Sequence, residues 1–239
     1  MAEAQGPASG LPAAVQNTAS AVASALDGGG NRLSVPDLAG SVELSADDPL
    51  LVACVRVLGA DALAPALLYG LRPAPADVAL AEAARDGYPP PPDAPAATAW
   101  SHWGLAEALR TLTGHGVRET QPDAEWVTGE PWPRLAHRMA QLAPLAAPGL
   151  DSALATGAAK RPVDLGRGFV RAVRRRDWLQ AAGLGRWLAL IPGVPASLGL
   201  DNGLEFVRQM GEAADARVAL HVRAAQLLRV TAPVRETPA

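Results

Sequence analysis

Four arginines, Arg167, Arg171, Arg174 and Arg175, are the residues whose type and spacing speak most directly to chemistry. A guanidinium presents a planar fork of donors that grips carboxylates and phosphates through paired, charge-assisted bonds. Steps of three and four residues would bring these forks to one side of a helix over residues 160–176, opposite a buried seam of Phe169, Val170 and Val173. The surrounding charge is polarised: residues 160–190 hold eight basic and two acidic side chains, whereas residues 1–151 hold eight basic and seventeen acidic ones. An Arg face of this kind suits a protein partner with an acidic surface, a phosphorylated ligand or a nucleic acid. It equally suits the chain's own acidic part, which would neutralise it internally, or plain solvation. The overall charge of −3 argues against nucleic acid, because duplex binders carry a basic balance across the module.

The preference for arginine is by itself uninformative. Lys160 is the single lysine, Ile191 the single isoleucine, and alanine is abundant. That pattern reflects GC-rich coding and points to a bacterial source.

Six tryptophans against two phenylalanines are the second feature. Trp100 and Trp103 bracket His102, and Trp178 and Trp187 lie in the basic-to-apolar region, where large rings fill space between small-residue helices. Trp126 and Trp132 bracket Glu130-Pro131 and are held in a loop by Gly129, Pro131 and Pro133, which makes them the better candidates for a partner contact.

Acid–base chemistry has weaker support. His102, His137 and Glu125 are the candidate catalytic residues, in a reading where a pocket among helices is lined by Trp100, Trp103, Trp126 and Trp132. His102, His115, His137 and His221 show no chelating spacing and no cysteine beside them, so neither metal nor cofactor is expected. His221 adjoins the apolar Val218 and Val222 and reads as a core residue. Cys54, the only cysteine, precludes an intramolecular disulfide and sits in an apolar run that would leave its thiol inert. Gly28-Gly29-Gly30 lacks a following Lys-Ser/Thr pair, and Gly166-Arg167-Gly168 lacks a preceding strand, so both read as spacers rather than phosphate cradles. No Gly-x-Ser-x-Gly elbow occurs.

The elements that must position these groups are mostly helical. An Ala/Ser/Gly-rich arm over residues 1–30, with a weak helix from Pro12 to Leu26, is expected to be mobile, and one or two short strands fit near residues 31–45. Asp48 before Pro49 is placed to cap a helix, although the apolar run Leu50–Leu58 fits a central helix or a buried strand equally by periodicity, and Asp61 is placed to cap a second helix. A third covers Asp77 to Asp86, and Pro89 to Pro92 end it. Further helices are expected over Ala97–Thr113, with Glu107 and Arg110 facing away from the apolar stripe, and over Pro133–Leu145. Leu165–Leu190 is helical with a break near Asp177, whose spacing to Gln180 matches a capping box. Asp201 opens another helix, and Glu212–Val230 reads as the last one, although Val218, Leu220 and Val222 also alternate as a strand would.

The architecture expected is therefore mostly α, an irregular multi-helix bundle with Pro/Gly-rich loops. An N-terminal helical subdomain (31–88), a Pro-rich connector (89–96), a C-terminal helical subdomain (97–230) and a flexible tail (231–239) make up the chain. No uninterrupted apolar run reaches the length of a bilayer span, which suggests a cytoplasmic protein. The leading functional reading is a non-catalytic intracellular protein that binds a protein partner through its Arg helix and exposed tryptophans. An enzyme or ligand-binding protein of small-molecule metabolism is the alternative, and a nucleic-acid binder the third reading.

Overall fold

Proline stands in the first turn of six of the twelve described α-helices. The computed structural model describes residues 10–29 and 48–231. Within them α2 (Pro49–Leu58) begins with Asp48 accepting a bond from the Leu50 amide at 2.7 Å, while proline occupies the first turn, where no amide partner is lost. Helix α1 spans Leu11–Asp27, and α2 continues through a 3₁₀ turn (Gly59–Leu63) into α3 (Ala64–Tyr69). There follow α4 (Pro75–Gly87), α5 (Ala96–Thr113), α6 (Glu125–Gly129), α7 (Trp132–Gln141) and α8 (Ala153–Ala158). The last four are α9 (Pro162–Arg174), α10 (Trp178–Leu190), α11 (Leu200–Gly211) and α12 (Ala216–Thr231). The fold is a mostly α multi-helix bundle, with no strand among the described residues. Strands expected near residues 31–45, and the tail beyond Thr231, lie outside those residues.

Helix α10 is the axis. Ala181 through Ala189 are all buried, and the helix packs against α7, α9, α11 and α12. A helix covered on every side needs no amphipathic pattern, and small residues let its neighbours come close. At Gly183 an added Cβ would stand 2.7 Å from the Ala140 carbonyl oxygen, and at Gly185 2.4 Å from Leu204 Cδ2. Trp187 is fully buried and donates its indole N–H to the Met139 carbonyl at 2.7 Å. Trp100 and Trp103, in edge-to-face contact at 5.2 Å, donate to the Asp123 and Glu119 carbonyls, so both rings pack the core and pin the loop beyond α5.

Four expectations change. Residues 11–27 are not a mobile arm: Val15, Ala19, Val22 and Leu26 belong to the core, and α1 packs on α2 and α12. Its Gln16 donates to Asp215 at 3.0 Å and accepts from the Ala216 amide at 2.7 Å. Alanine buries little area by itself, and only close helix contacts make such a stretch cohesive. The core is also continuous across Pro89–Pro92, since buried residues from Val15 to Leu228 form one cluster. Glu107 does not face solvent: its carboxylate is buried under Arg110 and Arg118, and the bond from Arg110 holds it below the usual carboxylate range.

Asp61 makes no cap bond; it is buried and ion-paired with Arg186, itself 0% exposed. Arg186 also donates to the carbonyls of Ala146 at 3.0 Å and Pro144 at 3.5 Å. The Nδ1 of His221 lies 3.3 Å from Asp61 and 3.4 Å from Arg186. The apolar segment Pro49–Tyr69 is long enough to cross a membrane by length and composition, yet in this fold it is largely buried and carries this aspartate inward.

Two outcomes follow from this interior. Gly183→Ala, forced against the α7 backbone, should cost about 1–3 kcal/mol, read as a lower urea midpoint with an unchanged slope. Burial, opposed by Asp61 and assisted by Arg186, pushes His221 down to about 4. Its unfolded counterpart titrates near ~6.5, so between those values the unfolded chain binds the extra proton. Stability should therefore be complete above that upper value and fall by about 3 kcal/mol as pH drops to the lower one. His221→Gln should abolish that component in denaturation curves measured across the range.

Candidate functional site

Helix α9 is built to turn its arginines outward. Pro162 starts it and Asp164 supplies the favoured negative charge in the first turn. Leu165, Gly166, Gly168, Phe169 and Ala172 form its buried face. Gly168 admits α7 so closely that a Cβ there would meet the Ala136 Cβ at 2.4 Å. Phe169 in turn fills the hollows left by Gly203 and Gly185. The helix stops where Arg176 takes the left-handed conformation, φ 59°, and Asp177 caps α10 by accepting from the Gln180 amide at 3.2 Å, as the capping-box spacing predicts.

With that face inward, Arg167, Arg171, Arg174 and Arg175 line one groove of about 670 Å³. Val170 was expected opposite them, but it is 44% exposed and lies in the groove, as does Val163 at 52%. The reason is spacing: Val170 is three residues after Arg167 and four before Arg174, so it shares their side of the helix. Val173 is half-buried against the core, and Phe169 is buried as expected. Trp132, at the start of α7, walls one flank beneath the Arg171 guanidinium, which lies 5.4 Å from its ring centroid. Pro195 and Leu198 wall the other flank, Leu198 sitting beside Gly166.

The charges in this groove are largely unanswered. Arg167 lies 3.5 Å from an Asp164 oxygen, but that carboxylate is already held by Arg161 at 2.7 Å. Among the described residues, Arg171, Arg174 and Arg175 have no carboxylate in ion-pairing distance. Internal neutralisation by the chain's acidic part, an open alternative from the sequence, thus does not occur at these three within the described residues. Arg186, from the same basic stretch, is the buried partner of Asp61 and contributes nothing to the groove.

The remaining candidates are dispersed. Trp126 is half-buried outside the groove, donating to the Asp123 carbonyl at 3.1 Å beneath Arg138, which pairs with Glu130 at 3.0 Å. His102 is half-buried beside Trp103, its imidazole lowered by burial and by Arg56 and Arg85 against the pull of Glu119. His137 is exposed between Gln180 and Gln141, and Glu125 is exposed at the start of α6. Neither histidine nor Glu125 lines the groove, and the structure gives them no shared contact. Burial raises the Cys54 thiol, with the Thr18 hydroxyl partly offsetting the shift. No group of three or more His, Cys, Asp or Glu among the described residues is arranged to hold a metal ion.

Sequence reasoning missed Val163, Pro195 and Leu198. Val163 was reachable, four residues before Arg167 on the same side of the helix. The other two arrive through the turn Ala196–Leu198, for which no local signal exists. No protein-family model matches the chain, and comparison with curated proteins and with solved structures finds no match to either.

A contrast between arginines separates exposed charge from structural bonding. Arg161 donates to Asp164 and to the carbonyls of Val127 and Glu130, tying α9 to the loop after α6. Arg161→Ala should lower unfolding free energy by about 1–3 kcal/mol, whereas Arg174→Gln and Arg175→Gln should stay within about ±0.5 kcal/mol in the same denaturation assay.

Proposed function

We propose that this protein is a non-catalytic docking module of the cytoplasm that holds an acidic segment of a partner protein in the α9 groove. One observation carries the reading: three guanidinium groups with no carboxylate partner among the described residues stand beside an apolar strip made by Val163, Val170 and Leu198. A ligand that satisfies both parts is acidic and apolar at once. Its carboxylates take the arginine forks, and its apolar side chains displace water from the valines and Trp132. Arginine and tryptophan together also match the make-up of protein-binding hot spots. A small amphiphilic anion is the competing ligand, since the groove volume falls in the range of small-molecule sites.

Calorimetric titration with a short synthetic peptide rich in Glu and Leu, compared with its Lys-for-Glu counterpart, tests this. The acidic peptide should bind, more weakly as salt is raised, and the basic one should not. Arg171→Glu with Arg174→Glu should abolish the interaction while the melting temperature is retained. Equal binding of both peptides, or indifference to the double substitution, overturns the proposal.

A further inference from the structure

The shape of the groove says more about its occupant than charge alone. Elsewhere α9 is packed by helices, α7 on the Gly168 side and α10 along Phe169 and Ala172. Among the described residues the strip from Val163 to Arg174 has no helix over it, although two valines are presented there between walls formed by Trp132 and Leu198. That strip is about 16 Å long, three helical turns. Arg167, Arg171 and Arg174 climb it in steps of four and three residues, about 10 Å in all. A second helix lying alongside repeats that same rise on its own facing row, and its ridges seat between the side chains of α9. An extended strand repeats each face about every 7 Å and matches neither step.

Resting on the docking reading above, we propose that the occupant is an amphipathic α-helix of a partner protein, acidic at positions i, i+4 and i+7 and apolar at i+3, laid along α9. Its carboxylates meet Arg167, Arg171 and Arg174, and its apolar residue packs on Val170 against Trp132 and Leu198. The interaction is of the helix-in-groove kind, with guanidinium forks setting register and the valines excluding water. Arg175, one residue and about 1.5 Å beyond Arg174, closes the row.

Three synthetic peptides of identical length and identical Glu and Leu content decide the matter: one with this helical register, one scrambled, and one in register but with a central Ala replaced by Pro. The registered peptide should bind about tenfold more tightly than either control and gain helical circular dichroism on binding, while Trp132→Phe removes the accompanying change in tryptophan emission. Equal affinity for all three overturns the helical occupant and leaves acidic docking standing; no binding by any overturns both. A charge exchange then checks the face. Arg171→Glu with Arg174→Glu, confirmed folded by its melting curve, should lose the acidic helix and accept one with Lys at the facing positions. A folded variant that keeps the acidic helix or refuses the basic one overturns the assignment of these arginines.

Discussion

A buried guanidinium organises this molecule. Removing Arg186 and Asp61 from water carries a desolvation cost that their mutual attraction offsets only when the remaining donors and acceptors are also satisfied. Here the Ala146 and Pro144 carbonyls and the His221 imidazole complete that set. The participants come from the 3₁₀ turn after α2, from α10, from the turn after α7 and from α12. Four parts of the chain are thereby held in one register. Because α10 is fixed in this way, Phe169 can settle on Gly185, and α9 is rotated so that its arginines meet water.

Surface charge is handled differently. Several partly exposed arginines outside α9 find a carboxylate within a turn of helix: Arg110 with Glu107, Arg208 with Glu205 and Glu212, Arg217 with Asp215. Such pairs contribute little to stability but leave no concentrated charge. On α9 the supply of acids stops at Asp164, and Arg161 takes most of it. The groove owes its field to this local shortage, which low-salt conditions would extend over about 10 Å or more.

Much of the helical plan was legible. The Asp48-Pro49 start, the Asp177–Gln180 cap and the break between α9 and α10 rest on local hydrogen bonds, which depend on neighbours a few residues away. The last helix was also legible, because Ala-rich flanks outweighed the strand-like alternation at Val218, Leu220 and Val222. The mobile arm was misread because Ala and Ser carry weak hydrophobic signals, and only contact with α2 and α12 converts them into a core face. The arginines were found by type and spacing, while Val170 was placed on the wrong side although its spacing from Arg167 and Arg174 marks the exposed one.

By itself, then, the order of residues determined a helical chain whose basic face lies within 160–176, since helix periodicity and capping are short-range. Tertiary structure alone decided that Asp61 would bury itself against Arg186, 125 residues away. It alone brought Leu198 and Trp132 to opposite flanks of α9. Such pairings depend on how helices stack around α10, where shape and desolvation act between residues that no local pattern connects.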